Sequence, residues 1–182
     1  MEIICDDRER KIIPFMRDIN RSFTINYKVE RIEVGDYAIC YNGRILIIIE
    51  RKTWNDLAAS IRDGRKGNIK KLINLAKKTG CHIAYLIEGD PCPNPDKKFS
   101  RFPVKNLRAH LDHIAFRDGV HMLYSKDYKG TAYRLFELAR NYSTIKPSLL
   151  SSSNTLIDDN IDDNIDDNID DNIDDNIDDN ID

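Results

Sequence analysis

Apolar and polar positions change rhythm along this chain, and the rhythm assigns its elements. Glu2 to Cys5 is a short apolar run that delivers Asp6-Asp7-Arg8-Glu9 at its end. Ile12, Ile13, Met16 and Ile19 recur at helical spacing, which predicts a helix over residues 10–21 with Pro14 near its start. Residues 23–32 alternate weakly and read as a second strand. Two apolar runs rich in β-branched residues follow, joined by Asn42-Gly43, the strongest short hairpin signal. Thr53 with Asp56 three positions later predicts an N-cap, and the helix that follows buries Leu57 and Ile61 and stops at Asp63-Gly64.

Further along, a helix over residues 66–79 buries Ile69, Leu72, Ile73 and Ala76 and exposes Lys66, Lys70, Lys71, Lys77 and Lys78. Residues 82–87 form an apolar strand closed by Glu88-Gly89-Asp90. The stretch from Pro91 to Pro103 holds four prolines and reads as an exposed loop. Helices over 104–118 and 129–142 flank a last short strand at 120–124. Strands alternating with helices imply an α/β sandwich.

From Ser143 the pattern fades. Residues 143–156 are rich in serine and read as a linker. Residues 157–182 repeat Ile-Asp-Asp-Asn with a period of four. Such a tetrad drifts around a helix, carries no compensating cations and repels itself, so a disordered tail is expected. One folded domain over residues 1–142 remains.

That tail hides the charge of the domain. The formal net charge is −3, yet 13 of the 31 acidic residues lie between Asp158 and Asp182, a stretch without Lys or Arg. Residues 1–156 therefore carry 28 basic against 31 − 13 = 18 acidic side chains, a net of +10. A body this basic points to a polyanion such as nucleic acid. The start, Met1 to Cys5, is too short and too acidic for a signal peptide, and no apolar run approaches a membrane span, so no membrane partner is expected. Cys5, Cys40, Cys81 and Cys92 show no CxxC spacing and suit reduced thiols in an intracellular protein. The spacing of Cys81, His82, His110 and His113 matches no standard zinc site.

The hairpin carries the candidate chemistry. Its second run, Ile45 to Ile49, should be a buried strand, yet it ends in Glu50-Arg51-Lys52. Buried charges cost several kcal/mol unless they are paired or bind a metal. Asp36 on one strand and Glu50-x-Lys52 on the next supply two hard oxygen ligands beside a cation, which suits a divalent metal near a phosphate. Register decides whether they meet. A plain two-residue turn pairs Asp36 with Ile49 and leaves Glu50 on the other face. Metal sharing demands a three-residue loop, a bulge, or an Asp36 just outside the ladder.

At these residues the chain resembles the nuclease domain of XPF-type structure-specific endonucleases, a family of the PD-(D/E)XK superfamily that includes the archaeal Hef nuclease. The resemblance is carried by Asp6-Asp7-Arg8-Glu9, by Gly35-Asp36, by Glu50-Arg51-Lys52-Thr53-Trp54-Asn55-Asp56, and by Ser60-Ile61-Arg62-Asp63-Gly64-Arg65. It extends more loosely through Leu86-Ile87-Glu88-Gly89 and Thr131-Ala132. It implies a restriction-endonuclease-like α/β fold, a central mixed sheet flanked by helices. It also implies a Mg2+- or Mn2+-dependent endonuclease that cuts DNA near branches or flaps in repair or recombination. Asp6, Asp36 and Glu50 would be the metal-site carboxylates and Lys52 the catalytic lysine, with Arg8, Arg51 and Asp56 in the essential set. Asp56 is equally readable as a helix cap.

Arg65, Lys66, Lys70, Lys97, Lys98 and Arg101 are candidate DNA contacts. The resemblance also implies a homodimer, or a heterodimer with another nuclease-family subunit. Leu107, Leu111, Ile114, Phe116, Leu135, Phe136 and Leu138 are candidates for an apolar interface. The expected location is the nucleus in a eukaryotic host and the cytoplasm otherwise.

Two departures stand out. A Gln often follows Asp-Gly-Arg in the family, whereas here Lys66-Gly67-Asn68-Ile69 follows, so its contact is lost or moved to Asn68. Residues after Tyr142 do not read as the tandem helix-hairpin-helix domain that usually follows. Two other readings remain open: a DNA-binding or scaffolding subunit that is catalytically weak, and a nuclease of the junction-resolvase type. Retention of Glu50-Arg51-Lys52 argues against the first, and the accompaniment of Arg8 and Arg51 against the second.

Overall fold

A computed structural model describes residues 1–63 and 67–144. The strands are β1 (Glu2–Asp6), β2 (Asn26–Glu30), β3 (Tyr37–Tyr41), β4 (Arg44–Thr53), β5 (His82–Glu88), β6 (Lys98–Phe99), β7 (Phe102–Pro103) and β8 (His121–Ser125). The helices are α1 (Ile13–Phe23), α2 (Trp54–Arg62), α3 (Gly67–Thr79), α4 (Val104–Asp118) and α5 (Tyr128–Ser143). Six strands form one mixed sheet in the order β2-β1-β3-β4-β5-β8. β1 and β2 run parallel, β1, β3 and β4 are antiparallel neighbours, and β4, β5 and β8 run parallel.

Alternation along the strands divides the core into two layers. Ile3, Cys5, Tyr37, Ile39, Ile47, Ile49, Ala84 and Leu86 pack against Met16 of α1 and Ala132, Leu135 and Phe136 of α5. Ala38, Cys40, Ile48, Tyr85 and Ile87 point the other way, onto Leu57 of α2, Leu72 of α3 and Leu107 and Leu111 of α4. The expected mixed sheet with helices on both faces is present.

Several expectations shift in detail. α1 starts at Ile13 rather than residue 10, with Pro14 in its first turn, where no backbone N–H is needed. It runs on to Phe23 and ends at Thr24, whose φ of 52° is left-handed. The proline-rich stretch from Pro91 to Pro103 is not simply a loop, because β6 and β7 close a small hairpin within it. Of the seven apolar residues considered for an interface, Leu107, Leu111, Ile114, Leu135 and Phe136 lie in the core and Leu138 packs at its margin. Phe116 stands out at 91% exposed. Cys5, Cys40 and Cys81 are buried free thiols and Cys92 is exposed. Among the described residues, no helix is long and apolar enough to cross a membrane.

Candidate active site

A single extra residue sets the site. Asn42 and Gly43 form a two-residue turn, both with positive φ (49° and 77°), as the primed hairpin turns require. Tyr41 pairs with Arg44 and Cys40 with Ile45, but Ile39 pairs with Ile47. Leu46 is the bulged residue. Beyond it the register has moved by one, so Tyr37 opposes Ile49 and the next step along the ladder brings Asp36 to Glu50. Of the devices that could bring the two carboxylates to one face, the chain uses the bulge.

Gly35 allows the close approach. Its φ is +86°, and a Cβ there would lie 2.8 Å from Ile48 Cγ1 and 3.2 Å from the Ile49 carbonyl oxygen. Any larger residue would push Asp36 away from β4. The Asp36 N–H donates to the Ile49 carbonyl (2.8 Å), and Asp36 Oδ2 accepts from the Arg51 N–H (2.8 Å).

Glu50 and Lys52 share one face of β4, and their side chains form an ion pair at 3.6 Å. The Lys52 ammonium also sits 5.9 Å from the centre of the Tyr85 ring. Asn68, at the start of α3, donates its amide N–H to Glu50 Oε1. Asn68 is one of the residues that follow Asp63-Gly64-Arg65, the stretch after which the family often has Gln. Burial pushes the Asp36 carboxyl up to about 7, with the Glu50 charge as the next cause. Glu50 is also raised, again first by burial, with Lys52 and Asn68 opposing the rise. Two carboxylates therefore share a half-buried place in which their negative charges are incompletely compensated.

Arg51 points to the opposite face, and sequence reasoning did not find its partners. Its Nε and Nη2 donate to Glu88 Oε2 and Oε1 at 2.9 and 2.7 Å, and Nη1 reaches Glu9 Oε2 at 3.4 Å. Its guanidinium lies 4.9 Å from the centre of the Tyr128 ring. Glu88 Oε2 also accepts from the Thr131 hydroxyl (2.7 Å), which contacts Ser125 Oγ at 2.6 Å. Tyr37 donates its hydroxyl to Glu9 Oε2 at 2.7 Å. What the Arg51 side chain does here is brace the carboxylates of Glu88 and Glu9. The signal was present only as the Glu88 and Thr131 stretches, which nothing in the sequence joins to Arg51.

The remaining candidates are placed less centrally. Asp6 is fully buried, and both its oxygens are taken. Oδ1 accepts from Arg8 N–H (2.9 Å) and Nε, and Oδ2 from Arg8 Nη2 (3.0 Å) and the Ile32 N–H (2.8 Å). Burial alone would raise this carboxyl, but the bonds from Arg8 and Ile32 outweigh it and hold it at about 2. Asp6 reaches the site through its backbone, since its N–H donates to the Asp36 carbonyl at 2.9 Å. Among the described residues no group of three or more His, Cys, Asp or Glu is gathered around one point. Of Asp6, Asp36 and Glu50, the last two face each other at the end of the β3–β4 ladder, while both Asp6 oxygens are engaged by Arg8 and Ile32. Asp56 forms a reciprocal capping box with Thr53, whose hydroxyl accepts from the Asp56 N–H at 3.1 Å. Its own Oδ2 accepts from the Thr53 hydroxyl at 2.7 Å.

Lys70, Lys97, Lys98 and Arg101 are exposed, whereas Arg65 and Lys66 lie outside the described residues. A cavity of about 190 Å3 lined by His82, His121, Leu138 and Tyr142, among others, sits at the amino ends of β5 and β8, away from the carboxylates.

The ERCC4 domain family matches residues 5–138. ERCC4 domain-containing protein EP364R of African swine fever virus is 30% identical in one isolate over 169 residues, covering 87% of this chain and 46% of that protein. In another isolate it is 29% identical over 168 residues with the same coverage. The chain thus spans about half the length of these curated relatives. XPF from Aeropyrum pernix superposes with a TM-score of 0.61 at 26% identity, over 79% of this chain and 66% of the other. The same protein in complex with DNA gives 0.57 at 25% identity, over 78% and 64%. By sequence and by fold, the chain belongs to the ERCC4 domain family and carries an XPF-like nuclease fold.

Proposed function

We propose that this protein is a divalent-metal-dependent DNA endonuclease that cuts near branches or flaps. The observation that carries this reading is the bulge-set register, which brings Asp36 beside Glu50 with Lys52 on the same face. Asp36 and Glu50 would hold Mg2+ or Mn2+, which commonly binds through one or two carboxylates plus water and substrate phosphate. When bound, the ion supplies Lewis acidity toward the phosphate and a more acidic water. Lys52, paired with Glu50, would orient a water and offset negative charge that develops on the phosphate. Asn68 holds Glu50 in one rotamer, and the Arg51 N–H does the same for Asp36. Arg8 acts one step back, by fixing the strand end from which Asp6 N–H ties down the Asp36 backbone.

The test is cleavage of plain and branched DNA duplexes with Mg2+, with Mn2+ and with EDTA. Metal-dependent nicking near the branch is expected, and nicking that persists in EDTA would remove the metal assignment. Binding of branched DNA without cleavage under any of these metals would favour the scaffold reading.

A further inference from the structure

The β6–β7 hairpin stands beside the candidate site and takes no part in the chemistry above. We propose that it is a rigid arm that grips the phosphate backbone of the DNA next to the cut. This rests on the nuclease reading only for the identity of the polyanion.

Its base is fixed to the first residue of α2, directly after the strand that carries Glu50 and Lys52. Trp54 follows Lys52 by two residues and is 2% exposed. Phe99 stacks on its ring, with centroids 5.9 Å apart and planes 17° from parallel. Trp54 Nε1 donates to the Asp90 carbonyl at 3.0 Å. Phe102 pairs with Phe99 across the hairpin. Backbone bonds close the rest: Val104 N–H to the Lys97 carbonyl (2.9 Å) and Lys105 N–H to the Pro95 carbonyl (3.0 Å). A two-stranded piece this short would not hold its shape alone, so the Trp54 stack and these bonds make it an element.

Its rim is cationic. Lys97, Lys98 and Arg101 are exposed and form no ion pair among the described residues. Lys97 and Arg101 lie 5.1 and 5.7 Å from the centres of the Phe99 and Phe102 rings, which limits where their charges can wander. By contrast Arg8, Arg51 and Arg117 are all engaged by carboxylates. Cations on a fixed scaffold lose little freedom on meeting a phosphate. Phe99 is already stacked on Trp54, so it is not a platform for a flipped base. The contact is to phosphates and independent of sequence.

The experiment uses the full chain and a fluorescent branched duplex, with affinity read by anisotropy in EDTA at several salt concentrations. The arm variant is Lys97→Ala/Lys98→Ala/Arg101→Ala. A control with the same loss of charge is Arg44→Ala/Lys77→Ala/Lys78→Ala, at the opposite end of β4, where Arg44 meets the Thr79 carbonyl. The arm variant should bind at least tenfold more weakly, and its slope of log affinity against log salt should fall by about 2–3, near 0.9 per lost phosphate contact. The control should change less than threefold. Equal weakening of the two variants, or an arm variant with unchanged affinity and slope, overturns the proposal. If the wild type binds through the arm yet cuts nothing with any metal, the nuclease reading falls and the arm stands. If cleavage is intact while the arm variant binds normally, the arm falls alone.

Discussion

Asp36 and Glu50 carry the candidate chemistry because burial withholds from both the water that would stabilise their charge. Asp36→Asn or Glu50→Gln should lower cleavage by at least 100-fold while leaving DNA affinity within about threefold, since each removes one ligand from an already polar place. Mn2+ should raise the melting temperature of the wild type, and each variant should abolish that rise, because a bound ion stabilises only the state that holds it. A variant that still cuts within tenfold of wild type would end the assignment.

Asp6 behaves oppositely. Its folded-state carboxyl is held at about 2 against an ordinary 3.8. A depressed carboxyl contributes stability that is present above the unfolded value and lost as pH falls through the folded one. Asp6→Asn should therefore cost roughly 2 kcal/mol at pH 7. The gap to wild type should close between about pH 4 and pH 2 in urea titrations. A gap independent of pH would mean that packing, not charge, explains the loss.

At the scale of elements, β4 works with both faces. One face presents Glu50 and Lys52; the other is tied by Arg51 to Glu88 on β5 and, through Thr131, to α5. Removing the charge of Glu88 strands a half-buried guanidinium, so Glu88→Gln should cost about 3 kcal/mol, against about 1 for Thr131→Val, by equilibrium unfolding. Both should slow cleavage, since Asp36 is held by the backbone N–H of the residue that Glu88 anchors. An unaltered cleavage rate in a folded Glu88→Gln protein would separate the brace from the chemistry.

Much of this was legible in the sequence. The turn at Asn42-Gly43, the cap at Thr53 and the strand ending in Glu50-Arg51-Lys52 are local signals, and the structure keeps all three. The bulge was not legible, because Ile45 to Ile49 are all aliphatic and no break in alternation marks Leu46 as the extra residue. Arg51 and Glu88 are 37 residues apart, beyond any local rule. The β6–β7 hairpin was hidden by prolines, and its anchor, Trp54, lies on a different element.

Across the whole molecule, charge is divided between a basic body and an acidic tail. The 13 aspartates of residues 158–182 are tethered to a body of net +10. They lie outside the described residues; we propose that, at roughly millimolar effective concentration around the body, they compete with DNA phosphate through screened electrostatics. Deleting residues 157–182 should tighten DNA binding severalfold at low salt, and the gain should shrink as salt rises. Equal affinity of the two proteins at low ionic strength would leave the tail without this role. If the tail competes for the arm's phosphates, combining the arm variant with the tail deletion should partly restore affinity.

The bulge at Leu46 has a consequence for how this chain can vary in length. Thirteen residues separate Asp36 from Glu50, and one of them is slack. Removing Leu46 would let the hairpin close as a regular ladder with Asp36 still facing Glu50, so a one-residue deletion among the five aliphatic positions should keep cleavage within about tenfold. Inserting one residue there leaves no compensation short of a second bulge or a longer turn, and without either every side chain beyond changes face. Descent should therefore tolerate shortening here and purge lengthening. The two single-residue variants, assayed side by side, would show whether that asymmetry is real.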